Sequence, residues 1–215
     1  MPAPSEEKNS SVLPKGRLEA FSDAVFAISM TLLILELRVP TIADHSTFGQ
    51  YAAVMVPLLP EFVSFLLSFV MIAIHWVSHH YFFYHIRHTT LEMIWLNNLL
   101  LLWICLLPFP TAMLGDHPTD QFPILLYGVD SLFAALTFFG IRSYASQKKL
   151  FTVNDESAKA LGPSHSVPAI TLYVLSILCV YINVYVSLAC FLLVPLLYFL
   201  PNFIRSNTIF SIAED

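Results

Sequence analysis

The sequence predicts an all-α integral membrane protein of six transmembrane helices, on three observations. Of its 215 residues 57% are hydrophobic and only 12% charged, whereas a soluble domain carries about 25% charged residues. Mean hydropathy is +0.70, and the apolar residues fall in long runs separated by short polar, Pro- or Gly-marked stretches. The basic residues are the third observation. With the N-terminus in the cytoplasm and six spans, Lys8, Lys15, Arg17, Arg87, Arg142, Lys148, Lys149, Lys159 and Arg205 lie inside and only Arg38 outside, as the positive-inside rule requires.

The first span, Phe21–Leu37, follows the charged Arg17 and Glu19 and carries Asp23 in its first turn, and from Ala24 to Leu35 every residue is apolar or small apart from Ser29 and Thr31. At about 1.5 Å per residue it just crosses a bilayer core of about 30 Å. With about 100° per residue and Ile28 at zero, Leu35, Leu32 and Thr31 fall within about 60° of Ile28, and Asp23 about 140° away. Thr41–Phe48 reads as a polar loop, and a second helix is expected from Pro57 or Pro60 to about His85, proline being tolerated in a first turn. A third is expected over Leu91–Leu114, kinked by Pro108 and Pro110. Gly115–Phe122 reads as a turn-rich loop, and Ile124–Ser143 as a fourth span. The apolar run Pro168–Pro201 is too long for one span and divides near Asn183–Ser187.

Residues 1–15 read as a cytoplasmic, disordered lead, 16–205 as one six-helix unit, and 206–215 as a cytoplasmic tail. The lead is polar and has no signal-peptide pattern. Cys105, Cys179 and Cys190 fall within apolar spans, which argues against a disulfide framework or a zinc site.

Arg17-Leu18-Glu19-Ala20-Phe21-Ser22-Asp23 has the form R-x-x-x-F-S-D at the start of a first transmembrane helix. It resembles the signature of the transmembrane protein 175 family of potassium channels, in its prokaryotic branch with a single six-helix repeat. Trp76-Val77-Ser78-His79 resembles the family's W-x-x-H on the second helix, and Asn97 with Leu107-Pro108 resembles its third. The resemblance spans roughly residues 15–205. It implies a homotetramer with a central pore lined by four copies of the first helix. On that resemblance Ile28 is the hydrophobic gate, Leu32 and Leu35 form further apolar rings, and Thr31 is a hydroxyl layer favouring potassium. Arg17, Phe21, Ser22 and Asp23 form the structural motif, locking the first helix to Trp76, His79 and Asn97. No TVGYG-like filter occurs in the sequence, so an apolar constriction that dewets would replace the carbonyl design.

Two other readings weigh against this one. His75, His79, His80, His85 and His88 crowd the end of the second span, and H-x-x-x-H-H is one box of a membrane metal oxidase. Such a site needs further boxes, and His45, His117 and His165 are isolated. Asp130, inside the fourth span, is the kind of residue a proton-coupled secondary transporter uses, but inverted repeats and glycine-broken helices are lacking. The expectation is therefore a non-enzymatic, potassium-preferring cation channel of the cell membrane, multi-pass, with both termini cytoplasmic. It needs no cofactor and no nucleic acid, and its partners are lipid, potassium ions and its own copies. The sequence leaves open whether protons also pass.

Overall fold

The computed structural model describes residues 14–152 and 161–199. Most of the lead 1–15 and the whole tail 206–215 lie outside the described residues. Helix α1 spans Gly16–Leu32 and continues as a 3-10 turn over Leu33–Glu36. Helix α2 spans Phe48–Met55, α3 Leu59–Tyr84, α4 Leu91–Leu106, α5 Pro108–Asp116 and α6 Gln121–Gln147. Helices α7, Val167–Cys179, and α8, Val184–Phe199, complete the described bundle. Four continuous runs are long and apolar enough to cross a membrane: Gly16–Glu36, Phe48–Tyr84, Leu91–Asp116 and Gln121–Gln147. With the shorter apolar helices Pro163–Cys179 and Val184–Tyr198 they make a six-helix subunit. The protein is an all-α, multi-pass membrane protein.

The second span starts earlier than the sequence reading placed it. Thr47 and Gln50 form a capping box, with Thr47 N donating to Gln50 Oε1 at 2.7 Å, so helix begins at Phe48 inside the stretch read as loop. Within that run Pro60 stands in the first turn of α3, as expected, and Pro57 marks the break between α2 and α3. Pro57 has no N–H for the helical ladder, and the chain passes through a 3-10 turn, Val56–Leu58, before α3. In the third span the kink falls at Leu107, between α4 and α5, where Pro108 opens the new helix. Gly115 and Asp116 belong to α5 and Gln121 already to α6, so the expected loop contracts to residues 117–120. Helix α6 runs past both expected ends. The break in the last apolar run covers residues 180–183, at the near edge of the expected interval. Asn183 Oδ1 there accepts from Tyr185 N at 2.9 Å and Val186 N at 3.4 Å, starting α8.

Helix α6 is the hub, packed against α4, α5, α7 and α8, while α1 lies on α3 and α4. Bilayer lipid is as apolar as the side chains, so small and polar contacts hold such helices together. Ser176 and Ser187 join α7 to α8 through hydroxyls 2.7 Å apart and reciprocal bonds to each other's carbonyls. At one end of the bundle Arg87 N donates to Leu150 O and Thr152 N to His85 O, strapping the α3–α4 connection to the chain leaving α6. Arg142 stays inside, its guanidinium 4.5 Å from the Phe138 ring centre and its Nη1 donating to Leu161 O at 3.0 Å.

Gly115 marks the tightest approach of α5 to α3. A Cβ there would stand 2.8 Å from Ser64 Oγ and 3.0 Å from the Glu61 backbone, whereas one at Gly140 meets nothing within 4 Å. Gly115→Ala is expected to cost about 1–3 kcal/mol by overpacking. Gly140→Ala is expected to be neutral or slightly stabilising, because helical alanine is favoured over glycine by up to about 1 kcal/mol. Thermal unfolding of the detergent-solubilised protein followed by size-exclusion chromatography reads both.

Candidate functional site

Helix α1 is divided lengthwise. Leu18, Ser22, Phe26, Ser29 and Leu33 recur every three or four residues and are buried against α3 and α4. On the opposite side Phe21 and Ile28 are each 57% exposed, Leu32 42% and Leu35 72%, and Thr31 is exposed with them. The 3-10 turn advances about 120° per residue, which carries Leu35 about 40° further around than an α-helix would. It still points the way Ile28 does. One subunit therefore presents an apolar face carrying a single hydroxyl, with its own bundle behind it.

Thr31 Oγ1 donates to Ile28 O at 2.8 Å. Its one hydrogen is spent on the backbone, so the exposed oxygen presents lone pairs outward, as a cation ligand and not as a donor.

The buried side of α1 is held by a short series of polar contacts. Ser22 Oγ donates to Leu18 O at 2.9 Å and accepts from Asn97 Nδ2 of α4 at 2.9 Å. Asn97 Oδ1 lies 2.8 Å from His79 Nε2 of α3, so that nitrogen carries the hydrogen and donates. The imidazole is closed in by rings, with centroids 5.4 Å to Phe26 of α1 and 4.4 Å to Phe83. One residue on, Asp23 Oδ1 accepts from Trp76 Nε1 at 2.9 Å, at a half-exposed position. Of the three partners that the sequence offered Asp23, Trp76 alone reaches it. Asn97 and His79 meet α1 through Ser22 and Phe26.

The remaining motif residues lie elsewhere. Phe21 stands on the Ile28 face and does not pack into the subunit. Arg17 is exposed and makes no hydrogen bond or ion pair among the described residues. The sequence reading missed Lys15. Its Nζ donates to Phe83 O and Tyr84 O at 3.0 and 3.1 Å, capping the last turn of α3, and sits 3.8 Å from Glu19. No local pattern announces such a cap, because the lysine and the carbonyls are nearly seventy residues apart. In the histidine cluster, His75 and His85 bond the carbonyls of Met71 and Tyr81, four residues back on the same helix, each at 2.9 Å. Among the described residues no three histidine, cysteine or acidic side chains converge as metal ligands.

Residues 17–108, which hold all of these contacts to α1 except Lys15, match the family described as the endosomal/lysosomal potassium channel TMEM175. A potassium channel of Chryseobacterium sp. is 30% identical over 194 residues, covering 88% of this chain and 95% of its own length. The chain belongs to the TMEM175 family. A second potassium channel, from Chamaesiphon minutus, is 34% identical over 83% of this chain and 90% of its own length. The crystal structure of a lysosomal potassium-selective channel TMEM175 homolog from Chamaesiphon minutus has the same fold. It superposes with a TM-score of 0.75 at 30% identity, covering 90% of this chain and 98% of that one. The human endosomal/lysosomal proton channel TMEM175 is 32% identical over 134 residues, 27% of its length.

This pairing predicts which TMEM175-motif residues are energetically coupled. Trp76→Phe and Asp23→Ala each remove the same bond, worth about 1 kcal/mol net at this half-exposed site. The double variant is therefore expected to cost little more than either single. Asp23→Ala combined with His79→Ala, which touch different bonds, is expected to be closer to additive. A double-mutant cycle on thermal midpoints of the solubilised protein checks both.

Proposed function

We propose that the protein is a potassium-selective cation channel, a homotetramer in which four copies of α1 surround the conduction path. The observation that carries this reading is the division of α1: its back is bonded to α3 and α4, while Ile28, Thr31, Leu32 and Leu35 stand exposed on the opposite side. A single helix encloses nothing. A closed cyclic assembly supplies the other walls without new sequence, and the membrane channels named above are what the chain resembles over most of its length.

In that assembly Ile28 is the gate and Leu32 and Leu35 are further apolar rings. A ring of such side chains excludes water when narrow, and a small outward movement rewets it. Thr31 is the discriminating ring. Four outward lone-pair oxygens replace part of an ion's hydration shell without fixed charge, and each is oriented by its bond to Ile28 O. Asp23 holds α1 to Trp76 and is not a pore charge. The site of action is the cell membrane, with both termini cytoplasmic, on the strength of the lysine and arginine distribution. Potassium is the permeant ion, and the reading needs neither cofactor nor catalysis. A proton-coupled transporter is the second reading, and the buried Asp130 is the observation in its favour.

Planar-bilayer recording of purified protein tests the reading. A current that rises without saturating and reverses near the potassium potential is expected. A saturable, proton-coupled flux without unitary currents would replace it with the transporter.

Ile28→Asn is expected to raise conductance by about tenfold, equivalent to lowering the barrier by roughly 1.4 kcal/mol. No change in an assembled variant moves the gate to Leu32 or Leu35. Thr31→Val, which keeps the shape and removes the oxygen, is expected to shift the reversal potential under mixed potassium and sodium toward non-selectivity. Thr31→Ser is expected to retain the preference, and equal behaviour of the two variants would take the role from Thr31.

A further inference from the structure

Asp130 lies within α6, well away from α1, and is 3% exposed. Neither of its carboxyl oxygens has a hydrogen-bond partner among the described residues. No lysine, arginine or histidine forms an ion pair with it among the described residues. The titratable groups within electrostatic reach are Tyr127, one turn earlier on α6, and Tyr173 of α7. Of the other helices packed on α6, α4 and α5 carry only Glu92 and Asp116, each at a helix end, and α8 carries no charge.

A file of hydroxyls leads toward this carboxyl. Ser68 Oγ donates to Tyr127 OH at 3.2 Å, and Thr111 Oγ1 donates to Ser68 Oγ at 2.7 Å. All three residues are buried. Thr111 Oγ1 also lies 2.7 Å from Leu107 O, so its one hydrogen has two acceptors between which it swings. Thr111 in turn lines a small pocket shared with Glu36, Glu61 and Asp116, at the end of the bundle where α3 and α6 begin. Acidic side chains, a threonine, a serine and a tyrosine thus stand in sequence between the bundle end and the Asp130 turn of α6.

A bare carboxylate is not kept in such a place. It binds a cation or a partner, or it takes a proton and becomes neutral. A metal cation needs several oxygens around it, and Asp130 offers one group with none in contact. A proton needs only the carboxyl. Each hydroxyl of the file both donates and accepts, so each can release one proton while receiving another. Tyr127 and Asp130 stand one turn apart on α6, and a proton passed across that turn would give the net change of one carboxylate plus one proton to one carboxylic acid.

We propose that each subunit carries a proton-binding site at Asp130, separate from the α1 face and loaded from the Glu36–Glu61–Asp116 pocket through Thr111, Ser68 and Tyr127. Infrared spectroscopy of the purified full-length protein in lipid tests it without measuring ion flux, so its failure and that of the channel reading are distinguishable. The wild type is expected to show, at neutral pH, the carbonyl stretch of a protonated carboxylic acid that Asp130→Asn lacks. On transfer to deuterated water that band is expected to shift, and to do so several-fold more slowly in Tyr127→Phe and in Ser68→Ala. Should Asp130→Asn fail to assemble, Asp130→Glu carries the same test, because the band must then move. A wild type without the band, or a band unmoved by either substitution, would overturn the site. Unchanged exchange in both hydroxyl variants would overturn the route.

Discussion

The structure depends on how α1 is fastened to the rest of the subunit. A transmembrane helix with an apolar outer face has no reason of its own to choose one rotation about its axis, because lipid and side chains attract it about equally. Buried polar atoms break that indifference. Ser22, Asn97 and His79 satisfy one another in a line through α1, α4 and α3, and turning α1 would leave the Asn97 amide N–H without its Ser22 acceptor. The cost of an orphaned buried polar group is about 1–3 kcal/mol, enough to set the rotation by a wide margin. The Asp23–Trp76 bond and the Lys15 cap add two fixed points along the same helix.

That fastening explains a division of labour visible in the composition of α1 itself. Ser22 and Ser29 are buried on the side facing α3 and α4, while Thr31 is exposed on the other. Similar side chains do opposite things by position. The serines donate or accept within the subunit, and Thr31 returns its hydrogen to its own helix and leaves its oxygen outward.

The bundle was legible where the cause of structure is local. Apolar runs marked the spans, Pro108 marked the break between α4 and α5, and Asn183 marked the start of α8. Residues 41–47 form a loop as read, but the helix opening at Phe48 was not foreseen, because a capping box and a polar loop use the same residues and only the reciprocal bond to Gln50 separates them. For the motif, the sequence named the polar side chains of α3 and α4 nearest α1 but not their partners. Trp76 and His79 lie about 60° apart around the helix, close enough to share a face and far enough that one meets Asp23 while the other meets Asn97. That choice is set by how α1 crosses two other helices. Lys15 was illegible for the same reason, since its acceptors belong to the far end of α3.

In the tetrameric channel proposed above, the fastening also limits how a gate on α1 can move. If α1 alone rotated or slid, it would break the Asp23–Trp76, Ser22–Asn97 and Lys15 contacts together. At about 1 kcal/mol net for each, that is a few kcal/mol per subunit and several times that in a tetramer. An apolar ring needs only a small displacement to rewet, and α3 and α4 share α1's polar contacts while the Ile28 face has none. The less costly motion keeps those contacts and carries α1, α3 and α4 as one body. On this argument the conformational change belongs to the boundary between subunits, and the polar contacts behind α1 transmit it to the pore without being broken.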